Sequence, residues 1–588
     1  MRHVNDAVGD DEMRGSNPLL LPPSSPPVVR LPPWLLSILL PSTAGRLLPR
    51  AECRTFSRRR MPAILDYKEL IDRQLLPQDR AVSREKGQPL CMAQYQRLFA
   101  SYRAPGLEQD QLKTLPPTDD NEHIIVAYQG QFWRLEVRCK GRRLSAEEMA
   151  FNFAAIIEDG QKTTDSSAGH YPPLGLLTTA NRRLWAQWRH QLLQDLINAR
   201  SLQSIESSSM IVNIDQPLPA ALFGDSIDQP GQVETRDDTN RALQMIHGGG
   251  TKWNTINRWF DKTVQFIFSP DGTSGTCYEH SPAEGIVLVQ VIEKALETVV
   301  QQEKHHSDSP GSRSLVEERR ASVGADGDST PKRTSDPFPT PKRLVWKIDD
   351  DIRRAIETAA SDVDRLVDDL DFRVFRFDSY GKNRIKTFNI SPDVYIQLIL
   401  QWTYFKLHGK LVATYESAAT RRFQLGRVDN IRSASSAALA WVTAMNDPQS
   451  TSDENVRLFY QAAQHQTDVM IRNILGQGMD IHLLGLRQLA RQSGCRDAIA
   501  VFDDASFEKI NHFALSTSQI PTSSDSFMGY GPVVPDGYGC SYNPQPDCVI
   551  FCASSFRSCE ATDTNRFVRQ LSAALLQVGD MLDKRSSI

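Results

Sequence analysis

Residues 278–285 read YEHSPAEG, and the predicted fold is organised around them. Before it, residues 263–268 alternate as a strand does, residues 269–272 (SPDG) have the composition of a turn, and residues 274–280 have the pattern of a returning strand. A hairpin is therefore predicted to lead directly to His280 at the end of its second strand.

A helix is predicted to begin immediately after that strand. Ser281 can be its N-cap, Pro282 its first helical residue and Glu284 the acidic partner three positions on, which together make a capping box. The apolar run over residues 286–300 predicts that this helix is buried. His280 is thus expected at a strand-to-helix corner, where its side chain can be rigid and still face a cavity.

The size and composition indicate a globular protein with more than one core. A chain of 588 residues is long enough for two domains, and its net charge of only -4 gives no global field that would favour nucleic acid or an anionic membrane surface as a partner. The nine cysteines do not form the pattern of a small disulfide scaffold, and Cys548 and Cys552 lack the further ligands that a zinc site needs. Reduced thiols of a cytosolic protein are expected. The apolar run at residues 34–40 is too short to span a bilayer.

Composition also predicts where the domains begin and end. Residues 1–62 are predicted to be a disordered, low-complexity leader, because they are rich in proline and close on basic residues. Residues 63–345 form the predicted N-terminal domain, within which residues 303–343 are a disordered insert of Ser, Pro and charged side chains. Residues 346–588 form the predicted C-terminal domain. Ser322 in the insert follows two arginines, as in a basophilic kinase site, and a solvated loop that contains this pattern by chance is an equal alternative.

The order of strand and helix patterns predicts the α/β class. Strand-like runs at residues 124–128 and 132–137 precede a helical pattern at residues 145–157, and residues 174–178 are predicted to be a short buried strand. Residues 350–370 are predicted to be an amphipathic helix. Alternation of this kind is typical of α/β architectures.

Several motifs carry a resemblance to a known family. They are GQPLCM at residues 87–92, HGGG at 247–250, NRWFDK at 257–262, EHSPAEG at 279–285 and STS at 516–518. Together they closely resemble the choline/carnitine O-acyltransferases, from about Ile64 to the C-terminal helix. The resemblance implies two chloramphenicol-acetyltransferase-like α/β domains with an active-site tunnel between them. Family members carry a further helical segment upstream that this chain is expected to lack, and with it part of the shell of the tunnel.

The resemblance also implies a catalytic arrangement. Acetyl transfer from a thioester to an alcohol needs a base for the hydroxyl proton, a donor for the oxyanion and a dry cavity. By resemblance, His280 is the base and no covalent acyl-enzyme forms, Ser518 is the oxyanion donor and Ser516 lies beside the substrate. Met528 falls where a bulky residue shortens the acyl pocket. Glu284 could orient the site, but its place in the capping box is the favoured explanation.

Cations are expected to hold the coenzyme. Lys382 and Lys386 are four residues apart, so both ammonium groups can approach one phosphate. Two lysines at this spacing are usually a solvated face, but the resemblance implies that they bind the 3′-phosphate of coenzyme A and that Asp393 helps to hold them. Ser417 and Arg421 match positions that line the tunnel. The sequence has no Walker loop or dinucleotide fingerprint.

The acceptor is expected to be choline rather than carnitine. Carnitine-using relatives place an arginine where this chain has Ile481, and threonines where it has Val428 and Asn430. Without that cation a buried carboxylate would be unpaired, which costs several kcal/mol. The trimethylammonium group of choline suits aromatic faces, with a cation–π attraction of about 2 kcal/mol when desolvated. Tyr415 and Tyr530 are the candidates.

The resemblance therefore implies an enzyme that makes acetylcholine from choline and acetyl-coenzyme A, the latter a co-substrate rather than a permanently bound cofactor. No metal site is expected. The alternatives are a carnitine-using acetyltransferase and an inactive shortened form that only binds partners. A monomer in the cytoplasm of nerve terminals is expected, and a protein kinase that acts on Ser322 is a candidate partner.

Overall fold

The computed structural model describes residues 37–39, 50–82, 86–116, 118, 122–164, 171–222, 236–307 and 338–586. Most of the predicted leader and most of the predicted insert, including Ser322, lie outside the described residues.

Nineteen strands occur in these ranges. In chain order they are β1 (Ser37–Leu39), β2 (Ser101–Ala104), β3 (Gln111–Thr114), β4 (His123–Tyr128), β5 (Gln131–Glu136), β6 (Arg138–Cys139), β7 (Arg142–Arg143), β8 (Ile211–Ile214), β9 (Val264–Phe268), β10 (Ser274–Tyr278), β11 (Lys342–Arg343), β12 (Leu370–Phe377), β13 (Thr414–Tyr415), β14 (Ser417–Ala419), β15 (Val428–Asn430), β16 (Leu515–Gln519), β17 (Phe527–Gly529), β18 (Tyr538–Pro544) and β19 (Val549–Phe556).

Fifteen α-helices accompany the strands in the same described ranges. They are α1 (Arg50–Asp72), α2 (Ala146–Thr164), α3 (Arg182–Leu192), α4 (Leu196–Ser207), α5 (Asp238–His247), α6 (Gly285–Ser307), α7 (Asp350–Asp369), α8 (Lys382–Thr387), α9 (Pro392–His408), α10 (Ser436–Ala444), α11 (Ser452–Ile474), α12 (Asp480–Ser493), α13 (Arg496–Asp503), α14 (Ala505–Ile510) and α15 (Thr564–Ser586). The α/β class predicted from the sequence is confirmed.

The first sheet has eight strands in the order β11-β5-β4-β8-β9-β10-β1-β17. Its centre is buried on both faces, and β4 shows why. Ile124 and Val126 point into one apolar core, which also holds residues of α1, α2 and α6, whereas Ile125 and Ala127 point into a second core with residues of α4, α5 and α7. Successive side chains of a strand alternate between faces, so one continuous apolar run supplies both cores.

The second sheet has the order β12-β19-β18-β16-β13. One face packs on α9, α10, α11 and α15. The other face contributes Ile550 and Cys552 of β19 to the core that holds α5 and α7. The two halves of the chain therefore share one core. They are also joined by hydrogen bonds, because β17 of the C-terminal half pairs with β1, which pairs with β10.

The predicted hairpin is confirmed. β9 and β10 pair antiparallel with Phe268 opposite Ser274, and Gly272 closes the turn with a φ of 85° and a hydrogen bond of 3.0 Å to the carbonyl of Ser269. A positive φ of this size is the reason that the turn uses glycine. The predicted strand at residues 174–178 is wrong, since Leu174–Thr179 is a buried 3₁₀ helix. In the described residues, no helix is both long and apolar enough to cross a membrane.

Candidate active site

A cavity of about 650 Å³ lies where the start of α6 faces β13, β14 and β16. Nine of the predicted site residues line it, namely His280, Asp393, Tyr415, Ser417, Arg421, Val428, Ser516, Ser518 and Tyr530. Lys382, Lys386 and Asn430 do not. Residues more than 200 positions apart in the sequence therefore meet at one cavity, with His280 supplied by the N-terminal half and the others by the C-terminal half.

The predicted capping box at the start of α6 is wrong. The helix begins at Gly285, and the Ser281 hydroxyl donates to Oε1 of Glu279 at 2.7 Å instead of accepting from the helix. The backbone N–H of Glu284 donates to Oε1 of Gln94 at 2.7 Å. The Ser281 hydroxyl is thus bound by the buried carboxylate of Glu279, and the N–H of Glu284 by the carboxamide of Gln94. The Glu284 side chain is therefore not part of a cap and makes other contacts.

Glu284 and His280 are neighbours across this turn. Oε2 of Glu284 lies 3.4 Å from Nε2 of His280, whose side chain is 40% exposed. The other carboxylate oxygen of Glu284 accepts from Nε of Arg427 at 2.7 Å. A carboxylate in this position stabilises the imidazolium that forms when a histidine removes a proton. The arrangement therefore suits a general base and the residue that positions it.

Arg427 completes the arrangement from the C-terminal half. Its Nη2 donates to the carbonyl of His280 at 2.9 Å and lies 3.5 Å from Nδ1 of the ring, and its Nη1 donates to the carbonyl of Ser281. One guanidinium thus holds the backbone of the turn and the carboxylate of Glu284 together. Arg427 was not among the residues predicted from the sequence, although it directly precedes Val428, a predicted acceptor position.

Glu279 supports the turn from behind. It is buried, and its carboxylate accepts from the backbone N–H of Ser281 at 3.2 Å. Burial raises the pKa of this carboxyl, while Arg103, at 3.7 Å, opposes that rise. The hydrogen bonds from Ser281 to Glu279 therefore anchor the residue that follows His280.

The three residues of the STS motif, Ser516, Thr517 and Ser518, make different contacts. The Thr517 hydroxyl donates to the carbonyl of Tyr415 at 2.7 Å, which fixes β16 against β13. The Ser516 carbonyl accepts from the Tyr530 hydroxyl at 2.9 Å. Ser518 lines the cavity, and among the described residues its hydroxyl has no hydrogen-bond partner. A free hydroxyl on a fixed strand is what an oxyanion donor requires.

Asp393 does not hold the two lysines, contrary to the prediction. It accepts a hydrogen bond from the Tyr542 hydroxyl and makes another with the Glu416 carboxyl. Both carboxyls line the cavity, and burial raises the pKa of each, with the neighbouring Asp393 charge adding to the rise at Glu416. Lys382 and Lys386 lie on α8, where Lys382 is half-buried and Lys386 is exposed.

The two arginines at the cavity are both paired. Nη2 of Arg421 lies 2.6 Å from Asp79, and Nε of Arg427 lies 2.7 Å from Glu284. Each guanidinium therefore already has a carboxylate partner. A further acid entering the cavity would have to compete with these partners.

The predicted acceptor positions are divided between the cavity and its surroundings. Val428, Tyr415 and Tyr530 line the cavity. Asn430 is buried beside it, where Oδ1 accepts from the backbone N–H of Glu416 at 3.1 Å. Ile481 is 52% exposed near the start of α12 and does not line the cavity.

Comparison with known proteins identifies the family. The sequence profile described as choline/carnitine O-acyltransferase matches residues 57–573. The chain belongs to the choline/carnitine O-acyltransferase family. Choline O-acetyltransferase of Drosophila melanogaster is 40% identical over 579 residues, which cover 92% of this chain and 76% of that protein. The human choline O-acetyltransferase is 41% identical over 524 residues, 88% of this chain and 64% of that protein. Carnitine O-acetyltransferase of Rattus norvegicus is 35% identical over 563 residues, 93% of this chain and 81% of that protein.

In this member of the choline/carnitine O-acyltransferase family, the HGGG motif is structural. His247 is fully buried, and burial lowers its pKa to about 3. Its Nδ1 accepts from the N–H of Gly249 at 3.0 Å, and the N–H of Gly250 donates to the Thr255 hydroxyl at 2.9 Å. These N–H groups are therefore occupied within the turn. No group of three or more His, Cys, Asp or Glu in the described ranges is placed to hold a metal ion.

Proposed function

We propose that this chain transfers the acetyl group of acetyl-coenzyme A to choline, with His280 as the general base. The observation that carries the proposal is the meeting of His280, Glu284 and Arg427 at a cavity in a chain about 40% identical to choline O-acetyltransferases. Acetyl-coenzyme A is a substrate in this reaction.

The proposed reaction proceeds in one addition and one elimination. His280 removes the hydroxyl proton of choline, and the oxygen attacks the thioester carbonyl. Ser518 donates a hydrogen bond to the oxyanion of the tetrahedral intermediate. The C–S bond then breaks, the thiolate of coenzyme A leaves, and the proton held by His280 passes to it. Glu284 stabilises the imidazolium between these two steps.

The charges around the cavity support choline as the acceptor. A carboxylate such as that of carnitine would find Arg421 and Arg427 already paired with Asp79 and Glu284. The exposed Ile481 offers no charge in their place. The cation of choline needs no such partner, and the rings of Tyr415 and Tyr530 at the cavity wall can attract it.

The coenzyme is proposed to approach from the side of α8, with its 3′-phosphate between Lys382 and Lys386. Asp393 and Glu416 at the cavity wall contribute polar groups for the remainder of the molecule. We further propose that the protein acts as a monomer in the cytoplasm of nerve terminals, and that a kinase modifies Ser322.

The test is the release of free thiol from acetyl-coenzyme A by the purified chain in the presence of choline. We expect turnover that requires choline and is lost in His280→Ala. His190→Ala, which changes an exposed histidine on α3, is the control and should retain activity. Retained turnover in His280→Ala would show that another base acts, and absence of turnover in the wild type would contradict the proposal.

A further inference from the structure

Gln94 connects the two halves of the chain at the base of the active-site turn. It is 2% exposed and directly precedes the short 3₁₀ turn Tyr95–Arg97. Its Oε1 accepts from the backbone N–H of Glu284 at 2.7 Å, and its Nε2 donates to the carbonyl of Gly426 at 3.0 Å. One carboxamide therefore bridges the start of α6 and a loop of the C-terminal half.

These two hydrogen bonds close a ring of contacts. Gly426 is followed in the chain by Arg427, which binds the carboxylate of Glu284 and the carbonyl of His280. The ring runs from Gln94 to Glu284, across the ion pair to Arg427, and back through Gly426 to Gln94. Every member except Gln94 either contacts His280 or adjoins a residue that does.

The loop that carries Gly426 is itself fixed. The N–H of Gly426 donates to the carbonyl of Phe423 at 3.1 Å, and the N–H of Thr420 donates to the carbonyl of Arg427 at 2.9 Å. A Cβ atom added to Gly426 would lie 2.0 Å from the carbonyl oxygen of Thr420, so the turn admits only glycine here. These contacts hold in place the turn whose carbonyl Gln94 binds.

A second set of contacts, made by Arg421, joins the same two segments. Arg421 donates to the carbonyl of Cys91 at 3.0 Å and pairs with Asp79 at 2.6 Å, and the Tyr95 hydroxyl donates to the same carboxylate at 2.8 Å. These contacts hold the segments together without Gln94. Loss of the carboxamide is therefore expected to change the local geometry at Glu284 rather than to separate the halves.

We propose that Gln94 is a positioning residue, whose carboxamide keeps Glu284 and Arg427 in register so that both meet His280. A buried N–H and a buried carbonyl would each lose a partner without it, and the start of α6 would shift to find new ones. A displacement of about 1 Å at such a turn can cost roughly 100-fold in rate. The expected fall in rate rests on the proposed function, whereas the expected change in the contacts of His280 does not.

Two variants and one control test the inference. Gln94→Met keeps the size of the side chain and removes both hydrogen bonds. Gln94→Glu can make both bonds only when its carboxyl is protonated, because a carboxylate cannot donate to Gly426. The control is Gln131→Met, since Gln131 is 4% exposed and its carboxamide also binds backbone, the carbonyl of Tyr171 at 2.7 Å, away from the cavity.

The expected results separate positioning from general stability. Gln94→Met should lower kcat about 10- to 100-fold with little change in either KM. The activity of Gln94→Glu relative to wild type should rise as the pH falls from 8 to 6. Diethyl pyrocarbonate should modify His280 faster in Gln94→Met, as measured by mass spectrometry of the peptide, because the ring has lost the contacts that hold it.

Gln131→Met, the control, should lower the thermal stability of the protein without changing kcat or the labelling rate of His280. The inference is overturned if Gln94→Met keeps the wild-type kcat and His280 labelling rate, or if Gln131→Met reproduces the changes. The rate at which diethyl pyrocarbonate modifies His280 can be measured even in a chain that shows no turnover with choline. Failure of the inference about Gln94 and failure of the proposed function are therefore distinguishable.

Discussion

Glu284→Gln tests the role of the carboxylate beside His280. The change keeps the shape of the side chain and removes its charge. In the proposed mechanism the ring of His280 becomes an imidazolium, which lies 3.4 Å from Oε2 of Glu284, with the guanidinium of Arg427 at 3.5 Å from the other ring nitrogen. In the variant the positive charge of Arg427 has no opposing charge, so it raises the energy of the imidazolium.

The distances set the size of the effect. Two unit charges 3.4 Å apart interact with about 5 kcal/mol at an effective dielectric constant of 20 and about 1 kcal/mol in bulk water. The His280 side chain is 40% exposed, which places the pair between these limits. A rise of about 1.5 to 3 kcal/mol in the activation barrier corresponds to a fall in kcat of roughly 10- to 150-fold.

The assay is the steady-state release of free thiol, with kcat and the KM for choline measured separately. Glu206→Gln is the matched control. Glu206 binds Nε of Arg189 at 2.7 Å and its side chain is 12% exposed, whereas Glu284 binds Nε of Arg427 at 2.7 Å and its side chain is 13% exposed. We expect kcat to fall only in Glu284→Gln, with the KM for choline within about twofold of wild type. An unchanged kcat, or an equal loss in the control, would show that the Glu284 carboxylate does not stabilise the imidazolium.

Three further predictions concern the cavity wall and the coenzyme. Burial raises the pKa of Glu416 above 4.5 and also that of Asp393, so the folded state retains protons and loses stability as the pH rises through these raised values. Glu416→Gln should therefore show a smaller fall in Tm between pH 5 and pH 8 than wild type, and an equal or larger fall would contradict this. Lys382→Ala combined with Lys386→Ala should raise the KM for acetyl-coenzyme A but leave the KM for its 3′-dephospho analogue unchanged; a similar rise for both would place the phosphate elsewhere. Ser518→Ala should lower kcat about 100-fold with both KM values retained, and a wild-type kcat would remove it from the oxyanion site.

Local signals predicted the hairpin before His280 and the long amphipathic helix α7 correctly. The hairpin that delivers His280 depends on the turn Ser269–Gly272 and on strand alternation, and both are properties of neighbouring residues. The amphipathic pattern at residues 350–370 likewise matches α7 to within one residue. The 3₁₀ helix Leu174–Thr179 was predicted as a strand, because a short apolar run fits either structure.

Long-range partners account for what the sequence did not predict. The capping box at Ser281 and Glu284 satisfies every local rule, yet Gln94, 190 positions away, takes the N–H of Glu284, and Arg427, 143 positions away, takes its carboxylate. Asp393 likewise binds Tyr542 rather than the lysines. Spacing within one segment cannot show such partners. The resemblance to a family predicted nine of the residues that line the cavity, but it did not predict the contacts that Gln94 and Arg427 make with the turn after His280.

Competition between choline and carnitine is the sharpest test of the proposed function. The purified chain is supplied with isotope-labelled acetyl-coenzyme A and an equimolar mixture of choline and carnitine, and the two labelled esters are measured by mass spectrometry. Because the guanidinium groups at the cavity are already paired and its wall carries tyrosine rings, acetylcholine should be the predominant product. Acetylcarnitine in equal or greater amount would contradict choline as the acceptor.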